Sequence, residues 1–274
     1  MIRRSAFISR KQLKYEPLSD LGNWVSKKVV TSKGTFKVSK CQSVEEAAFV
    51  EEAAKLFHKH KLPFARVLKR RGKFLWQEFV EGQSLEGKKP TKKVVEQLAQ
   101  TLGRMHAIPL NELKSHYKLT SLGSKIKMVL KCLSFLEQSK ALNKENAARL
   151  KRFLRAMPKQ YSFALTQRDF SRGNIIAKNG KLHRIIDFGD TCIEIREYDI
   201  ARTIFNLELQ GNQIQDFLKQ YKHFTPTEQF EKNQKYWLAA ITINKWANRL
   251  KRNPKRLKET KEKINKAIPW EKLK

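Results

Sequence analysis

The sequence predicts an α+β protein with two lobes, a small β-rich N-terminal lobe and a larger helical C-terminal lobe. The first third of the chain alternates short runs of β-branched and aromatic residues with turn signals. Most of the sequence after residue 90 has the apolar spacing of amphipathic helices. Between them, residues 82–90, GQSLEGKKP, are typical of a linker. We therefore expect lobes at residues 1–80 and 81–274.

The N-terminal lobe is expected to contain several strands and one helix. The strands are predicted over residues 24–30, 35–39, 65–69 and 74–80. Ser43 and Glu46 have the spacing of a capping box, which predicts a helix starting between them. This helix should end near Lys61, because Pro63 cannot continue it.

In the second lobe, the apolar spacing predicts a series of helices interrupted by one hairpin. Val94, Leu98, Leu102 and Met105 share one face of the first helix, and Pro109 follows its end. The predicted helices span residues 91–107, 124–136, 144–157, 214–221 and 227–250.

The densest chemistry lies between residues 165 and 205, around a predicted β-hairpin. Asn179-Gly180 between apolar strands is a strong signal for a two-residue type I′ turn. With this turn, the strand register carries Asn174 opposite Ile185. Asp187 then points to the same face as Asn174, with about 7–8 Å between their Cα atoms. Two oxygen-bearing side chains at this separation can hold one or two hard cations, and Mg²⁺ is favoured.

Asp169 lies five residues before Asn174, and the connection is too short for it to be far from the cation. A carboxylate there could accept the proton of an attacking hydroxyl group. Each residue alone also fits a structural role, as a helix-capping aspartate or a turn-forming asparagine. The three together, with Gly173 and Gly189 beside them, favour a site for phosphoryl transfer.

The composition is that of a globular protein with an unusual charge. There are 58 Lys and Arg against 26 Asp and Glu, a net charge of +32. This field favours contact with a polyanion or an anionic membrane surface, although a solvated basic surface gives the same composition. The three cysteines form no CxxC pair, which argues against a disulfide framework or a zinc site. Without an apolar run long enough for a signal peptide or a membrane span, a soluble cytoplasmic protein is expected.

Three short segments around the hairpin carry a family pattern. They are RDFSRGN at residues 168–174, IDFG at 186–189 and YDIA at 198–201. These segments resemble the signature of the aminoglycoside phosphotransferase and choline-kinase-like family, within the protein-kinase-like superfamily. The resemblance implies a protein-kinase-like fold, Asp169 as catalytic base, and Asn174 and Asp187 as Mg²⁺ ligands. It also implies in-line transfer of the γ-phosphoryl group of ATP, with Asp199 as a mainly structural carboxylate.

The resemblance extends more weakly over the N-terminal lobe. Lys37 is matched to the lysine that contacts the α- and β-phosphates, with Lys40 as the alternative. Glu52 is matched to the helical glutamate that pairs with this lysine, with Glu51 as the alternative. These assignments predict an ion pair between Lys37 and Glu52.

The segment WQEFVEG at residues 76–82 resembles the hinge of the family. Backbone groups of Glu78 and Val80 would there contact adenine. No GxGxxG motif precedes Lys37, so the loop that would cover the phosphates is irregular and its residues are not assigned.

The sequence departs from the family pattern in the catalytic loop. The family usually has histidine two residues before the catalytic aspartate, whereas this chain has Gln167, so the hydrogen bonding of the loop must differ. Arg168, directly before the aspartate, is more typical of protein kinases. However, Tyr198 follows Asp187 by only eleven residues, which leaves little room for the activation segment on which a peptide substrate would dock.

The acceptor is the least determined part of the prediction. The positive charge of the helical lobe argues against cationic acceptors such as aminoglycosides and choline. A local acidic pocket is still open, however, because Glu194, Glu197, Glu208 and Asp216 could form one. A neutral or anionic acceptor agrees better with the positive charge of the chain, and Arg172 could contact a phosphate.

Three functions stay open: a kinase of a small-molecule hydroxyl, a kinase of an anionic glycolipid or lipopolysaccharide-core saccharide, and a basic nucleic-acid-binding pseudokinase. No specific protein partner is expected.

Overall fold

The computed structural model describes residues 14–19, 25–114, 121–268 and 270. A small lobe is built on a five-stranded sheet, and the larger lobe is mostly helical. The predicted two-lobed α+β fold is therefore confirmed. Trp24, where the sequence predicted a strand to begin, lies outside the described residues. None of the helices in the described ranges is long and apolar enough to cross a membrane.

The small lobe contains an antiparallel sheet. Its strands, in the spatial order β1-β2-β3-β5-β4, are β1 (Lys14–Ser19), β2 (Val25–Thr31), β3 (Gly34–Lys40), β4 (Val67–Arg71) and β5 (Phe74–Glu78). The central strand β3 pairs with both β2 and β5, so Lys37 lies opposite Lys28 on one side and Gln77 on the other. The sequence predicted four of these strands and missed β1. Pro17 disfavours a strand in general but is tolerated in an edge strand such as β1.

One helix, α1 (Val44–Lys59), lies against β4 and β5. Its start is capped as predicted, because the backbone N–H of Glu46 donates to Ser43 Oγ at 3.1 Å. The Glu46 carboxylate is buried and accepts from the N–H of Gln42 at 2.6 Å. The helix therefore has a fixed start and presents its apolar face, including Phe57, to the interior.

The larger lobe is a cluster of helices around α8. The helices are α2 (Lys92–His106), α3 (Leu122–Gln138), α4 (Lys144–Arg155), α5 (Arg196–Leu207), α6 (Asn212–Tyr221), α7 (Glu228–Lys232), α8 (Gln234–Arg252) and α9 (Leu257–Ala267). α3, α5 and α9 pack against α8, whose Trp237 is fully buried. The predicted helix over residues 227–250 is divided at Asn233 into α7 and α8.

Two short sheets carry the segments of the larger lobe that are not helical. One consists of β6 (Gln83–Ser84), β8 (Ile175–Lys178) and β9 (Lys181–Ile185), and the other of β7 (Phe163–Thr166) and β10 (Cys192–Ile195). The sequence predicted only the β8–β9 hairpin and treated the remainder of this lobe as helical. The other strands are two to four residues long, too short to show a periodic pattern.

The hairpin has the predicted turn but not the predicted register. Asn179 and Gly180 both have positive φ, 52° and 70°, as a type I′ turn requires. A β-bulge follows, since Ala177 pairs with Leu182 whereas Ile176 pairs with Arg184. The extra residue shifts the outer register by one, and the prediction that Asn174 lies opposite Ile185 is wrong. Ile175 takes that position.

The connection between the lobes passes very close to the hairpin at Gly82. This residue has a φ of +145°, and a Cβ there would lie 2.5 Å from Ile176 Cγ2. Only glycine combines this conformation with this approach. The linker is therefore packed against β8 rather than free.

Candidate active site

Gln167 links the segment that carries Asp169 to the segment that carries Asp187. It follows β7 and is fully buried. Its Oε1 accepts from the backbone N–H of Asp169 at 2.8 Å, and its Nε2 donates to the carbonyl oxygen of Asp187 at 2.9 Å. The sequence showed that glutamine replaces the usual histidine here, but not that the side chain bridges these two segments.

The Asp169 carboxylate is surrounded by hydrogen-bond donors. Asn174 Nδ2 donates to Asp169 Oδ2 at 2.8 Å, and Ser171 Oγ donates to the same oxygen at 3.3 Å. Asn206 Nδ2, from α5, approaches Asp169 Oδ1 at 3.4 Å. Burial raises the pKa of Asp169, and the positive charge of Lys245 opposes this effect. The carboxylate is thus fixed in position and partly removed from water.

Asn174 is oriented by the same contacts. It ends a 3₁₀ turn over Arg172–Asn174, and its Nδ2 also donates to the carbonyl oxygen of Asp169 at 3.1 Å. Because the amide nitrogen faces Asp169, the amide oxygen is left for another partner. The backbone N–H of Ile186 donates to the Asn174 carbonyl at 2.9 Å, which brings Asn174 next to the segment that carries Asp187.

Asp187 lies beside Lys37. Lys37 Nζ is 3.3 Å from Asp187 Oδ1, with side-chain exposures of 12% for the lysine and 49% for the aspartate. The lysine is therefore mostly enclosed, whereas the carboxylate still opens to solvent and to a ligand. Lys40, the alternative to Lys37, is exposed.

The predicted ion pair between Lys37 and Glu52 is not among the contacts of these two described residues. Lys37 pairs with Asp187 instead, and Glu52 accepts a hydrogen bond from the backbone N–H of Lys114 at 2.5 Å. The alternative, Glu51, pairs with Arg70 at 2.8 Å and with Lys55 at 3.1 Å. Both candidate glutamates, Glu51 and Glu52, thus have other partners.

Glu78 and Val80 lie at and just beyond the end of β5. The backbone N–H of Glu78 donates to the carbonyl oxygen of Arg66 at 3.0 Å, and its carboxylate lies 3.4 Å from Arg184 Nε. Val80 is half-buried and packs against the main hydrophobic core. The segment therefore runs along the junction of the two lobes.

Arg172 is also engaged. Its guanidinium Nη2 donates to Glu208 Oε1 at 2.6 Å, and its Nη1 donates to the carbonyl oxygen of Lys88 at 3.3 Å. Arg172, a candidate contact for a phosphate, therefore pairs with a carboxylate in this structure.

Two residues of the site have backbone conformations that are unusual for side-chain-bearing residues. Arg168 has a φ of 69° and Asp187 a φ of 57°. Such strain costs about 1–3 kcal/mol at each residue and is retained where the surroundings fix it. For Asp187 the fixing contact is Gln167, and Arg168 Nε lies 3.4 Å from the buried Glu194.

Below Arg168 lies a buried network of charges. Arg202 donates to Glu194 at 2.8 Å and to Asp199 at 2.9 Å, and Lys125 pairs with Glu194. Asp199 also contacts His106 Nε2 at 3.3 Å. Because each charge has a partner of opposite sign, the network can stay buried beneath the loop.

Four phenylalanines pack behind the site. Phe57 stacks on Phe64 with ring centroids 4.3 Å apart, and both meet Phe188 edge-on at 6.3 and 5.9 Å. Phe64 also meets Phe170 at 6.2 Å. Phe170 follows Asp169 and Phe188 follows Asp187, so this phenylalanine cluster joins both polar segments to α1.

The donor set suits a hard divalent cation held by few protein groups. The Asn174 amide oxygen and the Asp187 carboxylate are oxygen ligands of the kind that Mg²⁺ prefers. Among the described residues, no group of three or more His, Cys, Asp and Glu side chains could hold a metal. An amide oxygen and a carboxylate fit Mg²⁺ that takes its remaining ligands from phosphate and water.

The model of the phosphotransferase enzyme family matches residues 25–231, more than half of the chain. The chain belongs to this family. The predicted resemblance and the predicted enzyme class are thereby confirmed. A comparison with curated proteins gives no match.

Solved structures of phosphotransferases have the same fold. The macrolide 2′-phosphotransferase MphH from Brachybacterium faecium is 10% identical, with 93% of this chain and 92% of that chain covered and a TM-score of 0.63. The GDP and kanamycin complex of APH(2″)-IIIa is 18% identical, with coverages of 95% and 94% and a TM-score of 0.67. The streptomycin–ATP complex of APH(2″)-IIa is 19% identical, with coverages of 93% and 94% and a TM-score of 0.57.

Proposed function

We propose that this phosphotransferase moves the γ-phosphoryl group of ATP to a hydroxyl group of a small molecule, with Asp169 as the base. The observation that carries the proposal is the chain of contacts from Lys37 to Asp187, through Gln167 to Asp169, and on to Asn174. Phosphoryl transfer depends mainly on positioning and electrostatics, and this chain of contacts supplies both.

Each residue of the site has a distinct role in the proposed transfer. The Asp169 carboxylate accepts the proton of the acceptor hydroxyl as its oxygen bonds to the γ-phosphorus and the bond to the β-phosphate oxygen breaks, releasing ADP. Lys37 contacts the α- and β-phosphates, and the backbone of Glu78 and Val80 contacts adenine. Asn174 and Asp187 would hold Mg²⁺, which would neutralise phosphate charge.

Residues 1–80 are then the nucleotide-binding lobe, and residues 81–274 are the lobe with the catalytic hairpin and the acceptor site. Glu52 is a further contact of Lys37 that would form only on nucleotide binding. Support for a nucleotide comes from relatives of the same fold solved with ATP and with GDP.

A transfer assay tests this function. Wild type is incubated with Mg-ATP, or Mg-GTP in parallel, and a panel of hydroxyl compounds, and phosphorylated products are detected by mass spectrometry. Asp169→Asn should lower kcat by about 10²- to 10⁴-fold, the contribution of a general base, with Mg-ATP binding retained. Glu228→Gln, the equivalent change at an exposed carboxylate of α7, is the matched control. Transfer that survives Asp169→Asn would refute the assignment of the base.

A further inference from the structure

A cavity of about 420 Å³ lies among α5, α6, α8 and α9. This size is within the range of sites for small organic molecules. Its apolar lining includes Phe205, Leu238 and Trp246. Its charged lining consists of Arg249, Lys263, Lys266, Glu208 and Glu259. The cavity therefore combines an aromatic wall with a slightly basic rim.

The cavity lies beside the catalytic loop. Phe205 lines it, and the following residue, Asn206, donates to Asp169 Oδ1 at 3.4 Å. Trp246 lines it as well, and the preceding residue, Lys245, influences the pKa of Asp169 through its charge. Asp169 itself is not a lining residue, but Glu208 lines the cavity and pairs with Arg172 of the catalytic loop at 2.6 Å, so the cavity opens beside this loop.

Two cations of α8, Lys245 and Arg249, lie one helical turn apart, so their side chains share one face. Within the described part of the chain, neither forms an ion pair with a carboxylate. Arg249 instead lies over the rings of Trp246 and Phe205, at 4.6 and 5.2 Å from their centroids. Two like charges side by side repel each other, and a partly buried cation without a counter-ion is unfavourable.

The charges around Lys245 do not neutralise it. Burial, followed by the charge of Arg202, lowers the pKa of Lys245 to about 8, and Arg249 acts in the same direction. Asp169 and Asp199 act in the opposite direction. Asp199 is already paired with Arg202, however, and Asp169 is bonded to its own donors.

The carboxylates of the cavity rim are also engaged. Glu208 pairs with Arg172 at 2.6 Å, and Glu259 lies 3.9 Å from Arg256. Arg249 therefore presents to the cavity a positive charge without a paired carboxylate among the described residues. Lys245 is not itself a lining residue, but it lies beside Arg249 on the same face of α8.

We propose that the cavity binds an acceptor whose carboxylate or phosphate pairs with Lys245 and Arg249, and whose ring lies against Phe205 and Trp246. This assignment rests on the proposed function and names the acceptor class for the same site. Polycationic acceptors should bind weakly, because Lys245 and Arg249 repel them.

Calorimetric titrations in the presence of Mg-ADP test the subsite with matched probes. One pair is uridine and uridine monophosphate, and a second pair is 4-(hydroxymethyl)benzyl alcohol and 4-(hydroxymethyl)benzoate. Kanamycin serves as the cationic probe. The two pairs separate phosphate from carboxylate as the anion.

At least one anionic member should bind more tightly than its neutral partner. Lys245→Met and Arg249→Met should each weaken that binding by about 10- to 100-fold, as expected for a charge-assisted hydrogen bond. Binding of the neutral partner should change much less. Lys151→Met removes the same charge from an exposed position on α4 and should have no effect on the preference.

The inference is overturned if neutral members or kanamycin bind as well as the anions, if no anionic probe binds, or if Lys151→Met has the same effect as Lys245→Met. The transfer assay reports separately on the proposed function. Anion binding that depends on Lys245 without any transfer would refute the kinase and keep the subsite. Transfer to neutral compounds alone would keep the kinase and refute the subsite.

Discussion

Replacing Gln167 by leucine tests whether the bridge between the two polar segments positions them for catalysis. Leucine has a similar size but offers neither hydrogen bond. The N–H of Asp169 and the carbonyl of Asp187 would each lose the partner that now lies within 2.9 Å. Gln167 is fully buried, so water cannot readily replace it.

The magnitude follows from these two groups. A buried polar group without a partner costs about 1–3 kcal/mol, so Gln167→Leu should reduce the free energy of unfolding by about 2–6 kcal/mol. Displacement of a catalytic group by a fraction of an ångström lowers kcat by about 10- to 100-fold. Both Asp169 and Asp187 would be displaced, so kcat should fall along with stability.

The assay measures thermal unfolding together with kcat and KM for Mg-ATP. Gln167→His is the informative partner variant, because a neutral imidazole has one donor and one acceptor and can restore both bonds. Leu150→Ala, in the buried face of α4, is the stability control. It should cost about 2–5 kcal/mol without touching the site.

Three outcomes decide the matter. The expected result is that Gln167→Leu loses kcat beyond the change in Leu150→Ala, and that Gln167→His recovers it. A Gln167→Leu enzyme that is less stable but has the wild-type kcat would show that the bridge is merely structural. Failure of Gln167→His to recover activity would show that the two hydrogen bonds are not what matters.

Further predictions concern three other positions. Lys37→Met should raise the KM for Mg-ATP, whereas Lys40→Met, an exposed lysine three residues away in β3, should not. Gly82→Ala should lower the free energy of unfolding more than Gly87→Ala in urea titrations, since both have positive φ but only a Cβ at Gly82 meets a neighbouring side chain, at 2.5 Å. Lys245, with its pKa near 8, is charged below that pH, so affinity for an anionic acceptor should fall as the pH rises through 8. Lys245→Arg should abolish this pH dependence.

Local signals in the sequence were sufficient for much of the fold. The helix cap at Ser43 and the turn at Asn179-Gly180 are properties of a few adjacent residues, and both are present. The hairpin register failed because a β-bulge depends on packing around the strands rather than on the turn. Asn174 nevertheless comes next to Asp187, through its backbone bond to Ile186.

The site residues that sequence reasoning missed are linked to Asp169 by tertiary structure. Asn206 comes from α5 and Lys245 from α8, and no motif connects either to the catalytic loop. For Glu52, the match to a family pattern gives no contact in advance, and Lys37 pairs with Asp187 in this structure. The role of Glu52 stays a prediction. The lobe boundary at residues 80 and 81 stays a prediction.

The phenylalanine cluster separates changes in the acceptor cavity from changes at the residues of phosphoryl transfer. It ties Asp169 and Asp187 to α1 through Phe170 and Phe188, and none of its members lines the cavity beside α8. Substitutions in the cavity wall can therefore alter acceptor choice without repacking the residues behind the reacting groups. Acceptor specificity can therefore change while the residues of phosphoryl transfer keep their positions.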